Sequence, residues 1–92
     1  MRIIGNIEHP SLKITVFDYE NRVSIKFETG LYEQTYKFRT GGLVNNLEEA
    51  RTFVNEELLE KVMQQVQQMH QLKTERLGQM HAESEEEFDE II

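Results

Sequence analysis

The side chains with the widest chemical repertoire in this sequence are three histidines, His9, His70 and His81, and two carboxylate groups, Glu48/Glu49 and Glu56/Glu57/Glu60. Imidazole can ligate a metal or move a proton near neutral pH, and paired carboxylates can serve as general acid and base. Spacing argues against both uses. His70 and His81 fall on one side of a helical pattern, but a separation of eleven residues is about 16 Å along a helix axis, too far to share a metal within one chain. A metal held across an oligomer interface is the arrangement left to them. The carboxylates sit on the same helical pattern with Arg51 and Lys61 nearby, and they read as a solvated face. There is no His-Glu-x-x-His, no glycine-rich phosphate loop and no Gly-x-Ser-x-Gly. The absence of cysteine removes thiolate catalysis, disulfides and Cys-ligated zinc. The expectation is a protein that is not an enzyme, with no cofactor, no metal and no small-molecule substrate. An enzymatic alternative needs a pocket built between subunits, for example around His70 or His81.

A second grouping is basic and aromatic. Lys13, Phe17, Tyr19, Arg22, Lys26, Lys37 and Arg39 fall at alternate positions of three extended segments, on the face opposite the apolar residues, with Thr15 among them. Glu28 and Glu33 are the acids on that face. Rings that stack bases beside cations that track phosphates suit single-stranded nucleic acid. The same composition also describes the solvated face of an ordinary antiparallel sheet.

The net charge of -7 bears on this choice, and its location matters more than its size. Residues 83–92, ESEEEFDEII, hold six acids and no base, while the first 82 residues hold 11 acids and 10 bases. The chain therefore reads as a nearly neutral domain, residues 1–82, followed by an acidic segment expected to be a disordered, solubilising tail. Phe88, Ile91 and Ile92 interleave that segment with apolar groups, which leaves docking on a basic surface open. No apolar run reaches the roughly 18 residues that a membrane-spanning helix needs, and no signal-peptide pattern follows Met1. No membrane partner and a cytoplasmic location are expected.

The elements that must position these residues follow from periodicity. In 92 residues there is room for one small domain. Leu12, Ile14 and Val16 alternate with polar residues, as do Val23, Ile25 and Phe27, and then Tyr32, Gln34, Tyr36 and Phe38. That is the signature of half-buried strands. A tight turn at Glu20-Asn21 places Val16 opposite Ile25 and Ile14 opposite Phe27. A turn at Thr29-Gly30 places Phe27 opposite Tyr32 and Val23 opposite Tyr36. Both keep the apolar residues on one face. Residues 2–8 give a fourth strand, with Gly5 and Asn6 marking a bulge or an edge.

Gly41-Gly42 ends the strands, and Asn45 or Asn46 caps a helix with Glu48 and Glu49 in its first turn. Steps of three and four then predict one helix over about 46–80, roughly 50 Å long, against strands of about 25 Å. Its first half covers the sheet through Leu47, Ala50, Phe53, Val54, Leu58 and Val62. Its second half outruns the sheet yet keeps Val66, Met69, Leu72, Leu77 and Met80 as a stripe. This predicts a homo-oligomer, most simply a dimer, joined through those five residues.

The expected architecture is α+β: an antiparallel meander of three or four strands followed by one long C-terminal helix on one sheet face. The order of elements, with ITVFDYENRVSIKFE as the central hairpin, is similar in outline to two groups of single-stranded-DNA-binding proteins. These are the Whirly and positive-cofactor coactivator group and the purine-rich-element binding group. The resemblance covers about residues 3–63 and implies a curved antiparallel sheet, helix-assisted dimers and single-stranded DNA as ligand. The primary functional expectation is a non-enzymatic module that self-associates through its helix. The alternative is a single-stranded nucleic-acid binder using the basic-aromatic face.

Overall fold

Period-two alternation becomes a four-stranded antiparallel sheet, ordered β1-β2-β3-β4 and formed by β1 (Arg2–Ile7), β2 (Lys13–Tyr19), β3 (Arg22–Thr29) and β4 (Tyr32–Lys37). Two helices follow, α1 (Leu47–Phe53) and α2 (Glu56–Ile91). The computed structural model describes the backbone of residues 1–91 and the side chains of residues 1–83. The fold is α+β, with one sheet face covered by helices.

The β2–β3 hairpin has the register that its alternation demands. Val16 faces Ile25 and Ile14 faces Phe27. The turn is two residues long, with Glu20 at φ 51 and Asn21 at φ 63. Two successive left-handed residues match the twist of the flanking strands. Glu20 adopts this conformation although asparagine or glycine suits it better.

The β3–β4 hairpin departs from expectation by one turn residue. Thr29 pairs with Tyr32, so the turn is Gly30-Leu31 rather than Thr29-Gly30. Phe27 therefore faces Gln34, and Ile25 faces Tyr36. Moving a turn by one residue slides the partner strand by two, so every side chain keeps its face. Alternation alone does not distinguish the two registers. Gly30, at φ 56, takes the first turn position, where a left-handed residue is required.

The sheet's inner face buries Ile14, Val16, Val23, Ile25 and Phe27. Ala50 and Val62 close over them from the helices, Val54 from the break between the helices, and Leu12 and Val44 from flanking loops. Val44 was not expected in the core. It lies in the connector, outside any periodic segment. Tyr36, Phe38, Leu47, Phe53 and Leu58 are only partly buried and form the margin of the core. Phe38 and Phe53 meet there edge to face, with ring centroids 4.9 Å apart.

β1 forms the outer edge and carries a bulge, the register shifting between Ile3 and Gly5. α1 lies across it. A Cβ built on Gly5 would stand 2.6 Å from both methyl carbons of Leu47, so the missing side chain is what lets the helix approach.

The helical region is the main correction. One helix over about 46–80 was expected, and there are two, broken at Val54 and Asn55. Asn46 caps α1, its Oδ1 accepting from the Glu49 amide at 2.8 Å. Val54 turns extended, with φ -83 and ψ 94, and drops into the core. Asn55 then caps α2, its Oδ1 accepting from the Leu58 amide at 2.8 Å. The two caps share a local pattern, asparagine with two glutamates close behind. α2 runs uninterrupted past Gly78 to Ile91. The expected tail at 83–92 therefore has a backbone that continues α2 as far as Ile91. The side chains of 84–92, Phe88 and Ile91 included, lie outside the described residues.

Candidate functional site

The basic-aromatic residues and the apolar helix residues that the sequence singled out lie on two surfaces: the outer face of the sheet and the far half of α2.

On the outer face, the register places Lys13, Phe17 and Tyr19 of β2 beside Arg22, Lys26 and Glu28 of β3, with Lys37 of β4 and Arg39 just beyond it. The seven residues do share a face, but they separate into two groups with different electrostatics. In the first group, the Lys26 ammonium is 3.1 Å from the Glu28 carboxylate and 5.2 Å from the centroid of the Phe17 ring. Lys13 stands directly across from the same Glu28. Between Lys13 and Phe17 on β2, Thr15 is 2% exposed, so long side chains already cover the middle of this face. Charge here is balanced locally and the Phe17 ring has a cation against it.

The second group lies at the other end of the strands. Tyr19, Arg22, Lys37 and Arg39, with Met1, Ser24, Phe38 and Thr40, line a depression of about 650 Å³. Among the described residues, no carboxylate lines it. Asp18 belongs to the opposite face, where it pairs with Arg2 at 3.6 Å. Among the described residues, Arg22, Lys37 and Arg39 form no ion pair. Tyr19 is 53% exposed, and its ring has no ring partner among the described residues. Two backbone ties shape this end. The Phe38 amide donates to the Val23 carbonyl at 2.9 Å, and the Thr40 hydroxyl donates to the Asn21 carbonyl at 3.1 Å. They carry the chain past β4 and hold Arg39 beside the β2–β3 turn.

The far half of α2 also differs from expectation. It does reach its own chain, because α2 packs alongside β4. The Gln34 side-chain amide donates to the Val62 carbonyl at 3.0 Å, and the Tyr36 hydroxyl reaches Gln65 Oε1 at 3.3 Å. Farther on, the Tyr32 hydroxyl meets His70 Nδ1 at 2.8 Å. Val66, His70, Lys73 and Leu77 line a hollow with Leu31 and Tyr32 at the tip of the β3–β4 hairpin. Val66 and Met69 are consequently half-buried within the chain. Leu72, Leu77 and Met80 remain 70%, 52% and 49% exposed. Val66, Met69, Leu77 and Met80 fall within about 80° of one another round the helix, and Leu72 stands outside that arc. At about 100° per residue, Leu72 lies roughly 120° round the helix from Val66, whereas Leu77 lies within about 20° of it. Leu72 instead flanks a second hollow with Met69 and Gln34.

The histidines are dispersed. His9 is a loop organiser: its Nδ1 accepts from the Ser11 and Leu12 amides, each at 3.1 Å. His70 is tied to Tyr32, and His81 lies on exposed α2 surface. Among the described residues no group of three or more His, Cys, Asp or Glu side chains is placed to hold a metal ion. Among them, too, no helix is long and apolar enough to cross a membrane.

Sequence reasoning missed Gln34 as a positioning residue, and it missed the pairing of Tyr32 with His70. Both connect residues far apart in sequence. The signal for the first was a glutamine at an inward position of an otherwise aromatic strand. Compared with models of protein families, with curated proteins and with solved structures, the chain matches none. The outline resemblance to the two DNA-binding groups therefore rests on the order of elements alone.

Proposed function

We propose that this chain is a non-enzymatic interaction module that self-associates through the exposed part of α2. The observation that carries the reading is the apolar surface left uncovered where the helix passes the sheet. Leu77 and Met80 stay open on α2, and Leu31, 84% exposed, stands at the hairpin tip beside Leu77. Burying large apolar side chains gives about 1.5–3 kcal/mol each, and a two-fold contact counts each residue twice. A one-sheet domain of this size has a small core of its own, which makes burial against a second copy a substantial gain. Val66 belongs to the intramolecular packing, so the proposed contact is centred farther along the helix than its sequence pattern implies.

Light scattering coupled to size exclusion tests the reading. At tens of micromolar the expected mass is about twice the 10.9 kDa of one chain. Leu77→Glu with Met80→Glu is expected to return it to a single chain while leaving the far-ultraviolet spectrum of the sheet unchanged. A single-chain mass for the unaltered protein sinks the proposal.

A further inference from the structure

The outer sheet face is not one uniform basic surface. Its two ends carry similar numbers of cations, yet only one of them is available to a ligand. At the Lys13/Lys26 end, Glu28 already engages Lys26 at 3.1 Å, and the Phe17 ring lies against the same ammonium. An incoming phosphate there displaces an existing carboxylate and gains little. At the other end, Arg22, Lys37 and Arg39 surround a depression without a lining carboxylate, and the Tyr19 ring is open beside them. The rim is fixed by the Thr40 to Asn21 hydrogen bond, so the cations stand on anchored backbone.

We propose that this end of the sheet, formed by Tyr19, Arg22, Lys37 and Arg39, is a binding site for single-stranded nucleic acid, with Tyr19 stacking a base and the three cations holding successive phosphates. Three features select this ligand class. Like-charged cations clustered without acids recruit a polyanion. Guanidinium groups pair phosphate oxygens through two parallel hydrogen bonds. An open tyrosine beside them has a flat face that a nucleobase uses and a carboxylate does not, which favours nucleic acid over an acidic polypeptide. No element projects from the depression to enter the groove of a duplex, so the strand bound is a single one.

The test is fluorescence anisotropy of a labelled twelve-residue oligothymidylate with the full chain, titrated at several salt concentrations. Three phosphate contacts give a slope of log affinity against log salt of about -2 for a single strand. Lys37→Ala and Arg39→Ala are each expected to weaken binding and to flatten that slope by about 0.7. Tyr19→Ala is expected to weaken binding about 5- to 150-fold with the slope unchanged, because stacking releases no counterions. Lys13→Ala and Lys26→Ala are expected to change neither quantity. All five positions are on the surface face of the sheet, and circular dichroism verifies that each variant is folded. The proposal is overturned by any of three results: no binding at low salt, binding of poly-glutamate or of a matching duplex as tight as that of the single strand, or equal losses from Lys26→Ala and Lys37→Ala.

Discussion

Tyr32 and His70, 38 residues apart, meet with the phenol oxygen 2.8 Å from the imidazole Nδ1 and the two rings edge to face at 5.7 Å. Lys73, one turn on, places its ammonium 5.2 Å from the Tyr32 ring centroid. Together these contacts clamp the middle of α2 to the tip of the β3–β4 hairpin, at the point where the helix leaves the sheet.

Removing only the hydroxyl isolates that clamp. Tyr32→Phe keeps the ring and is expected to cost about 0.5–1 kcal/mol, since the bond is exposed to solvent. Urea unfolding measures the loss. Amide exchange in residues 66–73 is expected to speed up while that of β2 and β3 stays as it was, because only the local attachment is weakened.

The break between α1 and α2 has its own residue. Asn55→Ala deletes the acceptor for the Leu58 amide and is expected to destabilise the protein by about 1 kcal/mol. Asn46→Ala is expected to act similarly on α1. A single continuous helix makes Asn55→Ala neutral or slightly favourable, as alanine is the better helix former, so the sign of the change separates the two structures.

Gly5 is the point where α1 rests on β1. Gly5→Ala brings a methyl group to 2.6 Å from the Leu47 methyls. The Leu47 side chain has some freedom to turn away, so the expected cost is at the low end of overpacking, about 1 kcal/mol. The penalty is expected to shrink in a Leu47→Ala background. A double-mutant cycle by chemical denaturation reads that coupling directly.

Phe27 is the largest fully buried side chain, 1% exposed, and meets Tyr36 edge to face at 5.8 Å. Phe27→Ala is expected to cost about 3–5 kcal/mol, a large part of the stability of a domain this size. Thermal melts are expected to show loss of the cooperative transition or a strong fall in its midpoint. Phe17→Ala, on the outer face, is expected to cost much less.

The contrast between those two phenylalanines shows what sequence reading could and could not deliver. Which face of each strand is buried was legible, because alternation fixes it for Ile14, Val16, Val23, Ile25 and Phe27. The pairing of β2 with β3 was legible too, since both the pattern and Asn21 point to one turn. The pairing of β3 with β4 was only half legible. Sliding Tyr32 from Phe27 to Thr29 leaves all the faces intact, and only the local geometry of Gly30 decides between them. The helix break was hidden by continuity. Val54 stays in phase with Ala50 and Leu58, so a spacing rule passes straight over it, while the cap at Asn55 is a local hydrogen-bond preference that the spacing does not register. On the outer face, alternation gathered Lys13, Phe17, Tyr19, Arg22, Lys26 and Lys37 on one side of the sheet. It placed Glu28 on that face but did not reveal that this carboxylate engages Lys26, because that depends on the rotamers of two side chains on β3.

The bulge in β1 has a consequence for how copies of this chain can meet. β1 is an open margin of the sheet, and a regular strand there offers its unpaired amides and carbonyls to any extended segment nearby. The shift between Ile3 and Gly5 interrupts that row of donors and acceptors, with Arg2 placing a charge at its start. An added strand finds no continuous ladder to zip onto. The sheet is thus self-limiting at this margin, which disfavours edge-to-edge stacking and strand exchange there.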